Sequence, residues 1–513
     1  KIVSLGIGLA VGLVLIAKVY FEQSYDDFYP DRDRVYQVWA KYQQNGGELK
    51  DYPQTSGGIA PTMQQQIPEI ETVTRYTSFG DWTFTMTDTK MKYSGRCIIA
   101  DSCFFDILPR PMLIGNAKEV LSTPMYVLIS SRIAKNIGGD VIGKNFTVDN
   151  SPGRTMTIGG VFEEVPENSH SRYDVIVSMA SAGRFMWEGS PTNMLGNDRY
   201  ISYVKLHKGV NPLALEEQVR TFVNSYFPPE EQQKVGLSID FSFHKLDNLH
   251  KELPQVKRMT WILSLLAFAL IFTAVMNYIL IVISSIVNRS KEVAVHKCYG
   301  ASENNIHGMM FGEALVHIVL SLILALLLIL AFRGTVEELL ATSLDSLLLS
   351  NGSLVLLGIC ILVFFVSGFM PGSLYARIPV ASAFRNYREN KRIWKKALLL
   401  VQFVATGFLV TMLVFVARQY TFMVNDRPGY AYENLAYCGL AGVDSTSRAK
   451  ILDEVMRLPG VAAATTVYQL PFEHASGNNI LLPGGTQELF NIADLYWVGN
   501  GYLDMMEIPV IQG

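Results

Sequence analysis

The sequence predicts a multi-domain membrane protein, an α-helical transmembrane bundle that carries α+β exported (periplasmic) domains. Three observations predict it. The chain of 513 residues is 49% hydrophobic but only 17% charged, whereas soluble domains run at about 25% charged residues. Its apolar residues gather into five long runs instead of spreading evenly. Between the first and second runs lies a stretch with the mixed strand and helix signals of an ordinary soluble domain. The net charge of −3 gives no sign of nucleic-acid binding.

A helix needs about 20 apolar residues to cross a bilayer. Residues 2–20, 259–287, 312–332, 353–370 and 397–416 meet that requirement. The first run is too long for a signal-peptide core and no small-residue cleavage site follows it, so it reads as an uncleaved anchor. Within it, Gly8 and Gly12 make a small-xxx-small pair that lets another helix approach closely. Orientation follows from the short basic loops. Between runs four and five stand Arg377, Arg385, Arg388, Lys391, Arg392, Lys395 and Lys396 against one acid, Glu389. The loop after run two carries Arg289, Lys291 and Lys297, whereas the loop after run three holds Glu337, Glu338 and Asp345. The first two loops are therefore cytoplasmic, the third is outside, and residues 21–258 are exported. Trp261 and Trp394 sit at span ends, where aromatic belts form.

The expected division is a first transmembrane helix at 1–20 and an exported α+β domain at 21–258. A helical domain follows at 259–376 with a cytoplasmic loop at 288–311, then a basic linker at 377–396, a fifth helix at 397–417 and a second exported domain from 418. In the first exported domain, residues 124–129 read as a strand, and Ser130 or Ser131 caps a short helix through Ile137. Residues 146–148 and 156–161 are strands joined by the turn formers Asp149-Asn150-Ser151-Pro152-Gly153. Further strands fall at 174–179 and 200–206. Residues 212–227 show helical periodicity through Leu213, Leu215, Val219, Phe222 and Val223.

The chain also repeats itself. Residues 105–115 align without gaps on 503–513, with Asp106, Pro111 and Gly115 matching Asp504, Pro509 and Gly513. Ile67-Pro68-Glu69-Ile70 similarly resembles Leu458-Pro459-Gly460-Val461. Each copy follows a membrane span at a similar distance, so the chain is expected to stop partway through its second exported domain, with three more spans beyond Gly513.

Catalytic motifs fail on inspection. Gly138 to Asn145 nearly fits the phosphate loop GxxxxGK[ST], but Asn145 replaces the hydroxyl that binds magnesium, and the segment follows a helix. It reads as a glycine turn. Glu292 and His296, like Glu313 and His317, are spaced i, i+4 but lack the second His of a zinc protease, and read as helix-face ion pairs. No catalytic nucleophile, metal set or cofactor motif stands out, and no enzyme is expected. Of the five cysteines, Cys97 and Cys103 either pair or remain two buried thiols.

The cytoplasmic loop is the most informative stretch. Residues 291–299 can form a short helix closed by Gly300 at C′. Ser302 can cap the next helix, and Glu303 suits its positive end. Two helices therefore meet at a sharp corner, larger than a plain connector requires and suited to docking a cytoplasmic protein. The spans hold few ionisable residues, where a polar conduit would need more.

The run Arg289-Ser290-Lys291-Glu292-Val293-Ala294-Val295-His296-Lys297-Cys298-Tyr299-Gly300-Ala301-Ser302 resembles the signature loop of the FtsX-like permease family of ABC transporters with MacB-type periplasmic domains. Glu313, Asn277-Tyr278, Gly368-Phe369-Met370-Pro371-Gly372 and Gln402-Phe403 fit the same pattern. Tyr25-Asp26-Asp27-Phe28 and Asp33-Arg34-Val35-Tyr36 resemble the start of the exported domain in Bacteroidetes-type, two-repeat members. His296 and Cys298 depart from the commoner residues. The resemblance implies an inner-membrane permease subunit that pairs with a cytoplasmic ATPase, as a dimer or internally paired pseudo-dimer. It would carry ATP-driven motion to its periplasmic domains, for peptide or drug export or lipoprotein handling. A periplasmic adaptor or substrate and membrane lipid are its other implied partners. The implied coupling residues are Arg289, Lys291, Glu292, His296, Lys297, Gly300, Ala301, Ser302 and Glu313, with Arg289, Lys291 and Lys297 meeting the ATPase, Gly300 setting the corner and Glu313 bracing it. The competing reading is a membrane receptor whose exported domain binds a ligand and whose loop signals.

Overall fold

A computed structural model describes residues 1–44, 47–148, 153–196, 198–349, 352–376, 393–425, 429–440, 443–470, 476–483 and 488–512. Arg377, Arg385, Arg388, Glu389, Lys391 and Arg392 of the basic linker lie outside the described residues, as does the turn at 149–152.

Among the described residues, five helices are long and apolar enough to span a bilayer: α1 (Ile2–Gln23), α2 (Pro254–Ser284), α4 (Glu303–Ala331), α5 (Ser353–Ala376) and α6 (Ile393–Asn425). A short helix, α3 (Ile286–Cys298), lies between α2 and α4. Periodicity decides which faces pack. On α4 the buried positions are Ile306, Met310, Ala314, Ile318, Ser321, Ala325 and Ile329, a stripe at three- and four-residue steps. Leu315, Val319, Ile323, Leu326 and Leu330 stay exposed on the other faces, as residues facing lipid acyl chains do.

The Gly8 and Gly12 pair works as its spacing predicts. A Cβ on Gly8 would lie 2.3 Å from the Ala274 Cβ, and one on Gly12 would lie 2.4 Å from the Ile271 Cγ1. Only glycine lets α1 lie this close to α2. Asn277 Nδ2 then donates to Ser4 Oγ at 2.7 Å across the same interface. Gly368 and Gly372 of α5 play a similar part, admitting Phe311 and His307 of α4.

The exported domain is built on one large mixed sheet. Its strands are β1 (Val35–Gln44), β2 (Lys50–Tyr52), β3 (Ile70–Met86), β4 (Lys92–Ala100), β5 (Met112–Ile114), β6 (Tyr126–Ser130), β7 (Asn145–Val148), β8 (Thr155–Phe162), β9 (Val175–Ser178), β10 (Ile201–Leu206) and β11 (Leu237–Lys245). They run in the order β11-β1-β10-β3-β4-β9-β6-β8-β5, with β2 on β1 and β7 joining β3 to β8. The long strand β3 holds the two halves together. Its first half pairs with β10 and its second with β4 and β7, and the register shifts at a bulge before Gly80 (φ +72°). On one half, the helices Ile59–Gln66 and Glu216–Tyr226 cover Val38, Ala40, Val73, Val204 and Phe241. On the other, Phe84, Ile99, Val127, Phe146, Ile158 and Val177 form a separate core.

Ser130 caps the helix Ser131–Ile137 by accepting from Ile133 N. Gly138, Gly139 and Gly143 then turn the chain with φ of +76°, +66° and +76° into β7, which is the turn expected in place of a phosphate loop. Cys97 and Cys103 are both free thiols. Cys97 is buried in the sheet core, Cys103 donates to the Val73 carbonyl, and burial pushes both thiols up.

The second unit runs over Phe408–Gly513. It holds a helix Ser445–Met456 capped by Asp444, the antiparallel pair β12 (Ser476–Leu481) and β13 (Glu488–Leu495), and a short helix Tyr502–Met505. That last helix matches the helix Phe104–Ile107 of the first exported domain, residue for residue, in the alignment of 105–115 on 503–513.

Candidate functional site

The corner between α3 and α4 is shaped by backbone hydrogen bonds that glycine permits. Gly300 takes a φ of +90°. Its N–H donates to the Lys297 carbonyl, and the Ala301 N–H reaches back to the His296 carbonyl, both at 3.0 Å. This pair of bonds is the Schellman closure of a helix C-terminus. Two residues later Ser302 accepts from the Asn305 N–H and starts α4. The chain thus reverses within a few residues, with backbone bonds closing the end of α3 and a side-chain cap opening α4.

Side chains fix the corner to the bundle. Val293 and Ala294 are almost fully buried and join Ile306 and Met310 in the core of the bundle. Glu313 accepts from Arg289 of α3 and from Lys1 Nζ at 3.2 Å. Arg289 also donates to Glu292 at 3.1 Å. One carboxylate on α4 therefore ties α1, α3 and α4 together at their cytoplasmic ends. At the same level Tyr375 of α5 is fully buried and donates to the Val282 carbonyl of α2 at 3.1 Å.

The opposite face of α3 points away from the bundle. Lys291, Glu292, Val295, His296, Cys298 and Tyr299 are exposed, with Tyr299 at 89%. Lys291, Val295 and Tyr299 fall at four-residue steps, so a cation, an aliphatic residue and an aromatic ring share one stripe. Lys297 is half-buried, and Ala301 lies half-buried beside Gly300.

The structure places the residues of the signature loop on α3 and at the start of α4, with Arg289 on the bundle side. Arg289 was expected to meet a partner, yet its guanidinium turns inward to Glu292 and Glu313. Neither i, i+4 pair forms as read. Glu292 pairs with Arg289, and His317 stands 3.2 Å from the Tyr278 hydroxyl. Lys1, Val295 and Tyr299 were not singled out. Lys1 carried the only available signal, a basic residue flanking the first apolar run.

The far ends of the same helices form a second polar cluster. Lys18 donates to Glu22 and to Thr342 Oγ1, each at 2.7 Å, and Glu22 meets His250 Nε2 at 2.6 Å. Asp26 is wholly buried, and its carboxylate holds His170 Nδ1 at 2.7 Å while the other ring nitrogen meets the Tyr203 hydroxyl. The Ser343 N–H donates to Glu167 at 3.0 Å, joining the outer α4–α5 loop to the exported domain.

Two family matches decide the identity. The MacB-like periplasmic core domain matches residues 2–222, and the FtsX-like permease C-terminal region matches residues 264–380. Together they cover most of the chain, in the order the architecture requires. The chain belongs to the FtsX-like ABC-transporter permeases with a MacB-like periplasmic core domain. Permeases of this family are membrane components of ABC transporters, generally non-catalytic, and work with a cytoplasmic ATPase. The matches do not favour the receptor reading. No curated protein matches this chain. Among solved structures, a domain of a permease protein from Porphyromonas gingivalis is 33% identical, covers 42% of this chain and 91% of that one, and has a TM-score of 0.39. The periplasmic region of MacB from Actinobacillus actinomycetemcomitans is 15% identical over 43% of this chain and 92% of its own, with a TM-score of 0.29. The extracellular domain of the noncanonic ABC-type transporter YknZ from Gram-positive bacteria is 11% identical over 40% and 98%, with a TM-score of 0.29. In this permease the corner at Gly300 lies on the side of the membrane opposite the exported domain.

Proposed function

We propose that the α3–α4 corner is where the partner ATPase engages, and that the permease carries ATP-driven motion across the inner membrane to its exported domains. The observation behind this reading is the two-sided character of α3. One side is locked to the bundle through Val293, Ala294 and the Arg289–Glu313 contact, while the other offers Lys291, Val295, His296 and Tyr299 to the cytoplasm. A push on such a helix is passed to α1 and α4 rather than absorbed locally. Lys291 and Lys297 are the cations placed to meet an acidic ATPase surface, Gly300, Ala301 and Ser302 set the corner, and Glu313 braces it.

The proposed division of labour follows the chain. The anchor at 1–20 and the spans within 259–376 act as levers, 21–258 is the first effector domain, and 377–396 links to the fifth span and a second exported domain from 418. Holding a two-state lever at 99:1 instead of 1:99 takes about 5.5 kcal/mol, which the ATPase must supply. The subunit would work as a dimer or a pseudo-dimer, with a periplasmic adaptor or substrate, in peptide or drug export or lipoprotein handling.

Co-purification tests the reading. The full-length permease, lightly crosslinked in mild detergent, should bring down a cytoplasmic ATPase identified by mass spectrometry. Lys297→Glu and Lys291→Glu should abolish that recovery while leaving the exported domain folded. Undiminished recovery with both substitutions would remove the corner from the interface.

A further inference from the structure

A pocket of about 440 Å³ opens where the exported sheet meets the outer ends of α1 and α2. Its position is set by sequence. Tyr25 stands two residues past the last residue of α1, and Leu253 immediately precedes Pro254 at the start of α2. The rest of the wall comes from β1 and β4 and from the loop before β9, through Trp39, Arg96, His170 and Arg172. The pocket thus faces the level at which the outer leaflet's headgroups lie.

Its chemistry is lopsided. Two arginines, Arg96 and Arg172, line it with two imidazoles, His170 and His250, and no carboxylate is in the wall. The nearest acids face other partners, since Asp26 holds His170 and Glu22 holds His250 and Lys18. Gln37 and Ser169 add polar groups, and the rest of the wall is apolar or aromatic. Leu249 and Leu253 lie on the membrane side, Tyr25 stacks on His250 at 3.4 Å, and Trp39 stacks on His244 at 4.1 Å. The buried Trp39 indole N–H has no acceptor among the described residues. Cationic forks beside leucine and indole suit a ligand with an anionic head and an apolar body.

We propose that this pocket binds the phosphate-bearing headgroup of an anionic membrane lipid, with Arg96 and Arg172 on the phosphate and Leu249, Leu253 and Trp39 against the first acyl carbons. The inference does not depend on the ATPase reading. A lipid here would touch α1, α2 and the sheet at once and would set how the exported domain sits on its anchors.

Radiolabelled phosphatidylglycerol, added to the full chain in detergent, provides the test. Wild type should bind saturably, and Arg96→Gln with Arg172→Gln should weaken binding by about tenfold or more. The paired Arg→Lys variant should recover most of the loss, and Arg220→Gln, on the helix Glu216–Tyr226, should change nothing. Unlabelled phosphatidylcholine and inorganic phosphate should both fail to compete. Should the double glutamine variant fold poorly, Arg96→Gln alone should still show part of the loss. Binding unaffected by the glutamine substitutions, or equal competition by phosphatidylcholine, would overturn the site. Equal competition by inorganic phosphate would overturn the lipid and leave a free-anion site.

Discussion

The two ends of α1 are built on opposite plans. At the cytoplasmic end, Lys1, Arg289 and Glu313 form a brace whose side chains keep about a quarter of their surface in solvent. Beside it the stripe of Lys291, Val295 and Tyr299 is exposed among the described residues. At the outer end, Lys18, Glu22 and Asp26 are almost wholly buried, and each is tied to a different element: the α4–α5 loop, His250 ahead of α2, and His170 of the sheet domain. An accessible brace can be rearranged by a docking protein, because water can take over its charges. A buried one cannot be opened without leaving a charge unpaired. Under the proposed ATPase coupling, the inner end would take the input and the outer end would pass it on rigidly.

Breaking the buried end should have the largest effect. Glu22→Ala strands Lys18 in a site only 9% exposed and should cost about 3–5 kcal/mol, read as a fall in the unfolding midpoint in detergent. An equal loss from Glu313→Ala would erase the contrast between the ends. Next, Gly8→Leu places side-chain atoms where Ala274 already sits and should cost about 1–3 kcal/mol. It should also lower ATPase stimulation in reconstituted vesicles, because the lever between the ends is displaced. Gly300→Ala forces a Cβ onto a left-handed backbone and should cost about 1–2 kcal/mol. Its space is open, so the loss should appear in ATPase recovery more than in the fold of the exported domain.

The smallest effect lies outside both ends. Lys205 and then Arg34 hold the Asp31 carboxyl below its usual range. A depressed folded value means that the ionised carboxylate stabilises the native state. The contribution is complete above the unfolded value of about 4 and fades as pH falls through the lower folded one. Asp31→Asn should cost about 0.2–1 kcal/mol at pH 7 in thermal melts, and the gap from wild type should narrow as pH falls below the unfolded value. A constant gap would show that the hydrogen bonds, not the charge, matter.

Much of this was legible in the sequence because it is local. Five apolar runs found five helices, Gly300 and Ser302 marked the corner, and Gly8 and Gly12 marked the α1–α2 contact. The strands at 124–129, 146–148, 156–161, 174–179 and 200–206 fall within a residue or two of β6 to β10. What went unread depends on distant residues. The longest strand, β3, mixes threonine, arginine and aromatics and alternates unevenly, since Val73, Thr74, Tyr76 and Thr77 are buried on both faces whereas only Trp82, Phe84 and Met86 alternate. Lys1 and Glu313 are 312 residues apart, and no spacing rule joins them. The outward stripe of Val295 and Tyr299 could not be told from core-facing residues until Val293 and Ala294 had claimed the bundle side.

The most direct measurement is site-specific photocrosslinking in cells expressing the full-length permease, with a photoreactive residue at Tyr299 and, as a control, at Trp187 of the exported domain, which is also exposed. The account predicts that Tyr299 yields an adduct with a cytoplasmic ATPase and Trp187 does not. No ATPase adduct from Tyr299, with the crosslinker shown to be active at Trp187, would contradict it.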